Sequence, residues 1–149
     1  MRGLFAVVPG EPRPTPGFGP LQVAVAALLH ESSRADYTER AVERAVAQAA
    51  LAELFGLDAN QCAALLEEGR ARSRQLTSFY APVNVIKREY SLEQRILFVE
   101  HLWRVTFADG RLDLYEDNYV RKIARLLFVP NTQCMLARNR ARPEPARSA

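Results

Sequence analysis

Apolar residues recur at helical spacing along most of this chain. Leu21, Val25, Leu28 and Leu29 fall at i, i+4, i+7 and i+8, the stripe of a helix with one buried face, and predict a first helix over Leu21–Ala35. Thr38 is a plausible N-cap, and Val42, Ala45, Val46, Ala49 and Leu54 carry a second stripe to Phe55, where Gly56 ends the helix. Asp58 and Gln61 form a capping-box pair that opens a third helix, which passes Leu65, Leu66 and Gly69 and runs to about Ser73. Pro82 suits a first turn and predicts a short fourth helix over Ala81–Glu89. Ser91 and Gln94 form a second capping box, opening a fifth helix that buries Ile96, Val99, Leu102, Trp103, Val105 and Phe107 and ends at Asp109–Gly110. A sixth helix starts at Asp113, buries Leu114, Val120, Ile123, Ala124 and Leu127, and stops before Pro130; Asn131 is then expected to cap a seventh around Met135. No segment sustains period-two alternation, so the expected fold class is all-α, a compact seven-helix bundle.

Sliding the chain by 73 residues places Leu29 on Leu102, Ala35 on Ala108, Asp36 on Asp109, Glu43 on Glu116, Leu54 on Leu127 and Phe55 on Phe128. One offset shared across two helices and their turns predicts two pseudo-symmetric three-helix halves joined by the short fourth helix. The same shift sets Asp58 on Asn131, both read as cap positions.

The flanks differ in composition. Residues 1–19 are punctuated by Pro9, Pro12, Pro14 and Pro16 and by several glycines, so neither helix nor strand can propagate, and a flexible leader is expected. Residues 20–139 form the helical domain, and residues 140–149 read as a disordered basic tail. The net charge of +3 comes largely from that end, where Arg138, Arg140, Arg142 and Arg147 cluster, so no nucleic-acid face is expected. At 48% apolar and 25% charged the chain is an ordinary globular composition. No apolar run approaches the ~20 residues of a bilayer span, and Leu4–Val8 is too short for the core of a secretory signal, so a cytoplasmic protein without a transmembrane segment is expected. Cys62 and Cys134 lie far apart with no metal-binding spacing and read as buried, reduced thiols.

Chemistry concentrates in the stretch Phe107–Glu116, where Asp109, Asp113 and Glu116 bracket Gly110. Capping accounts for much of it: Gly110 suits the left-handed position ending a helix, Asp113 is an N-cap type, and Glu116 three residues on completes a capping box. Asp109 is the exception, because a helix C-terminus disfavours an anion. The functional reading is that Asp109, Asp113 and Glu116, together with Asp36 and Glu43 of the first half, supply oxygen ligands to a hard divalent cation. All-carboxylate ligation suits Ca²⁺, Mg²⁺ or Mn²⁺ better than Zn²⁺.

The segment Trp103–Glu116, with Leu28-Leu29-His30-Glu31, Ala35-Asp36 and Leu54-Phe55-Gly56-Leu57, resembles the TerB-like tellurite-resistance family over roughly Pro20 to Arg138. The resemblance implies a seven-helix domain of two related halves, no enzymatic activity, metal binding at the acidic turns and an association with tellurite and general stress. It also implies kinship with the N-terminal domain of a membrane-anchored DnaJ-type co-chaperone, although the His-Pro-Asp signature of a J-domain is absent here. The family's Asp-Gly-x-x-Asp-x-x-Glu is intact in Asp109, Gly110, Asp113 and Glu116, whereas the first half offers Asp36, Tyr37, Arg40 and Glu43. Arg40 stands in place of a ligand; if the two turns face each other, its guanidinium would neutralise the carboxylates of the second half where a cation would otherwise sit, leaving metal affinity weak or absent.

His30 and His101 are not equivalent under the shift and have no serine or cysteine arranged with them, so both read as ordinary partly buried histidines. Trp103, Tyr115 and Tyr119 read as core packing between the halves. No phosphate loop, dinucleotide fingerprint or nucleophile elbow occurs, and a non-enzymatic protein is expected. Two function classes remain open: a cation-binding stress protein, and a helical module for an unidentified protein partner whose acids are caps only.

Overall fold

The computed structural model describes residues 17–32, 40–108 and 114–143. Within them lie seven helices and no strand: α1 (Pro20–Ser32), α2 (Arg40–Phe55), α3 (Ala59–Ser73), α4 (Tyr80–Glu89), α5 (Leu92–Thr106), α6 (Leu114–Leu126) and α7 (Asn131–Ala141). The expected leader up to residue 16 and the tail from residue 144 lie outside the described residues.

Two helices form the centre. In α1 every residue from Ala24 to Leu29 is buried, the signature of a helix covered on all sides. In α5 the run Phe98–Trp103 is buried likewise, with the Trp103 ring stacked on Phe107 at 6.0 Å between centroids. The first helix of each trio packs most extensively on the third, α1 on α3 and α5 on α7, while α4 lies against α1 and α6. The α1–α3 crossing is close because both helices are small there. A Cβ added at Gly69 would lie 2.5 Å from the Ala26 carbonyl carbon and 2.7 Å from the Ala27 nitrogen, so only glycine permits this approach. Across the trios, the Tyr119 hydroxyl donates to the Leu28 carbonyl at 2.8 Å and its ring meets Phe79 edge-on.

Both capping boxes form as the sequence predicts. Asp58 Oδ1 accepts from the Gln61 amide at 2.8 Å and Gln61 Oε1 accepts from the Asp58 amide at 2.9 Å. Ser91 and Gln94 reciprocate in the same way at 3.2 and 2.8 Å. The expectation for Asn131 is corrected: the cap residue of α7 is Pro130, which makes no side-chain cap bond, and Asn131 is already helical. The helix corners align at a different spacing from the acids. Gly56 takes φ +67 after α2, and Phe128 takes φ +60 after α6, so the corners correspond at an offset of 72 while the acids correspond at 73. The same offset of 72 pairs Cys62 with Cys134, each buried at the fourth position of its helix.

A second correction concerns which face of α2 is inside. Val42 is 47% exposed and Ala45 and Ala49 are exposed, whereas Glu43, Ala47, Ala50 and Leu51 are buried. The alanine-rich helix offers almost equal apolar content around its circumference, so packing against α1, α3 and α5 selects the face. In α6, Leu114 is likewise 73% exposed, against expectation, and Glu116 is buried.

Candidate functional site

Each buried stripe of the two second helices begins with a glutamate. Glu43, in the first turn of α2, is followed by Ala47, Ala50 and Leu51 at i+4, i+7 and i+8. Glu116, in the first turn of α6, is followed by Tyr119, Val120, Ile123 and Ala124 at i+3, i+4, i+7 and i+8. Residual exposure is 0% at Glu43 and 3% at Glu116. Burying a carboxylate costs several kcal/mol unless charge or hydrogen bonds compensate it. A helix N-terminus returns only ~0.3–1 kcal/mol, up to ~2 when partly buried. Capping does not require such burial, because Gln61 and Gln94, which perform the reciprocal capping role in α3 and α5, are both exposed.

The remaining acids of the expected set are placed by chain connectivity alone. Asp36 falls in the stretch between α1 and α2, and Asp109, Gly110 and Asp113 fall in that between α5 and α6; all lie outside the described residues, as does the side chain of Arg40. Glu43 and Glu116 therefore stand three and two residues beyond the first residue of their helices, each following its own acidic turn along the chain. Among the described residues no group of three metal-ligating side chains forms, so a carboxylate cage would need the turn residues.

Asp117, next to Glu116, was not singled out from the sequence. It is 8% exposed, and its Oδ2 accepts from Arg121 Nε at 2.8 Å while Oδ1 lies 3.7 Å from Arg138 Nε. The Arg138 guanidinium also lies over the Trp103 and Phe107 rings, 5.6 and 5.9 Å from their centroids. Asp117 thus ties α7 to the start of α6, beside the acidic turn. The i,i+4 spacing of Asp117 and Arg121 was a legible signal; the reach of Arg138 from α7 was not.

The other candidates take structural places. His101 is buried, and its Nε2 lies 3.5 Å from Glu53 Oε1 on α2. Burial pushes its pKa below the ordinary histidine value, against the opposing pull of Glu53, so the ring is neutral near pH 7. Arg104 reaches both Glu53 and Glu100, and Glu100 Oε1 accepts from Arg140 Nε at 2.8 Å, so this network links α2, α5 and α7. His30 is half-buried. Burial raises the pKa of both thiols, which keeps Cys62 and Cys134 protonated and unreactive. Trp103 and Tyr119 are core residues as expected, whereas Tyr115 is 54% exposed.

Two linked helical trios, with a buried glutamate heading the inner face of each second helix, define a compact all-α domain organised around its helix corners. The family model described as tellurite resistance protein TerB matches residues 22–139, and the chain belongs to that family. A crystal structure of a protein of unknown function from Porphyromonas gingivalis W83 is similar at a TM-score of 0.60 and 20% identity, covering 92% of this chain and 98% of that one. That likeness concerns the fold. No curated protein matches the chain. Among the described residues no helix is long and apolar enough to cross a membrane.

Proposed function

We propose that this chain is a non-enzymatic TerB-family protein, associated with tellurite resistance and stress, that binds a divalent cation through the acids at its helix corners. The observation that carries the reading is the burial of Glu43 and Glu116 at the heads of two inner stripes. A cation bound beside these carboxylates would add to the compensation of their desolvation, and Asp36, Asp109 and Asp113 would add oxygens from the adjoining turns. Oxygen-only donors favour Ca²⁺, Mg²⁺ or Mn²⁺. Titration calorimetry and thermal melting, with each cation and with chelator, test this. A cation-dependent rise in melting temperature that is lost in Glu116→Gln and Asp113→Asn is the expected result. Melting curves that coincide with and without cation would sink it. Arg40→Asp is expected to tighten binding, because it restores a carboxylate and removes a competing guanidinium.

A second reading, a helical interaction module, draws on one observation. Leu114 and Tyr115, at the start of α6, are 73% and 54% exposed beside the second acidic turn. Adjacent exposed apolar side chains of that size suit a protein partner. This reading predicts no cation dependence.

A further inference from the structure

A cleft of about 720 Å³ opens where α1, α2 and α3 meet, lined by Arg44, Gln48, Arg70, Arg74, Glu31 and Ser73 among others. Its volume lies in the range of small-molecule sites. Arg70 and Arg74 stand one turn apart at the end of α3 and so share a face, and Arg44 joins them from α2. Arg70 is engaged by Glu67 at 2.8 Å. The guanidinium groups of Arg44 and Arg74 make no ion pair or hydrogen bond among the described residues. On the α1 side the Ser73 hydroxyl donates to the Glu31 carboxylate, and both residues continue into a neighbouring cleft of about 430 Å³ that reaches Tyr80 and Lys122. The surface therefore has a cationic part with two unengaged planar forks and a part bearing Gln48, Glu31 and Ser73 that can exchange hydrogen bonds with hydroxyls.

We propose that this cleft binds a small molecule carrying one phosphate monoester on a hydroxylated scaffold, independently of any cation at the acidic corners. Guanidinium forks match phosphate oxygens two at a time, and the two unengaged ones, Arg44 and Arg74, supply the two charges that face a dianion. Gln48 and Glu31 accept from the scaffold's hydroxyls. The recess suits a molecule that enters it, not a flat lipid surface.

Calorimetry on the full chain, at fixed ionic strength with chelator present, uses inorganic phosphate, glycerol phosphate, glycerol and vesicles containing phosphatidic acid as probes. Glycerol phosphate is expected to bind more tightly than inorganic phosphate, and glycerol not at all. Arg44→Gln and Arg74→Gln should each weaken glycerol phosphate binding about tenfold, and the double variant should lose it. Arg142→Gln, at the end of α7, should bind as wild type does. Melting curves by circular dichroism check that each variant is folded. Absence of binding at millimolar probe, unchanged binding by the folded double variant, or binding to the vesicles alone would each overturn the proposal.

Discussion

The corners that end α2 and α6 do the same job with opposite chemistry. After α2 the left-handed residue is Gly56, whose amide bonds Ala52 at 2.8 Å in a simple one-bond ending, and Asp58 then caps α3. After α6 the left-handed residue is Phe128, 70% exposed, with its amide on Arg125 at 3.0 Å and that of Val129 on Ala124 at 2.9 Å, the paired bonds of a Schellman ending. Pro130 follows with no side-chain cap. The second corner is held from outside instead: Arg95 Nη1 of α5 donates to the Leu127 carbonyl at 2.6 Å, and Lys87 Nζ of α4 lies 4.2 Å from the centroid of the Phe128 ring. Local sequence therefore makes the first corner, whereas tertiary contacts hold the second. A left-handed backbone costs a side-chain-bearing residue roughly 1–2 kcal/mol, which those contacts must offset.

The largest expected effect tests how closely the first trio is packed. Gly69→Ala would drive a methyl into the backbone of Ala26, and a loss of about 1–3 kcal/mol is expected in denaturant unfolding. An unchanged midpoint would mean that α1 and α3 can separate at little cost. Next comes the corner contrast itself. Gly56→Ala should destabilise by about 1 kcal/mol, whereas Phe128→Gly should gain a smaller amount, because relief of the left-handed strain is partly cancelled by loss of the Lys87 contact. Equal and opposite shifts would show that the contacts around Phe128 contribute nothing.

The smallest effect lies at the seam between α2 and α5. The folded pKa of His101 is below its ordinary value of 6.5, so the unfolded chain binds the extra proton and stability falls as pH drops through about 6.5. His101→Gln should therefore lose less stability than wild type between pH 7 and pH 5. A parallel decline in the two proteins would remove His101 as a source of acid sensitivity.

Much of the fold was legible along the chain. Both capping boxes, the glycine after α2 and the helical spacing of α1 and α5 are written in local residue types, and local hydrogen bonds realise them. The face of α2 was not legible, because its alanines supply no strong apolar contrast, and Glu43, not Val42, is the residue packed inside. At the start of α6 the apolar Leu114 is likewise outside and Glu116 inside. The one-residue slip between corners was hidden for a related reason: Phe128 carries no glycine signal, so Asn131 looked like the cap.

The sequence by itself determined the family, the all-α class and which carboxylates to consider, since these depend on residue type and spacing. Only the tertiary structure decided that Glu43 and Glu116 are buried, that Asp117 and Arg138 meet, and that Arg44, Arg70 and Arg74 line one cleft. Burial depends on which helix face neighbouring helices cover, and long-range pairing depends on how the trios cross. Neither is fixed by the periodicity of a single helix.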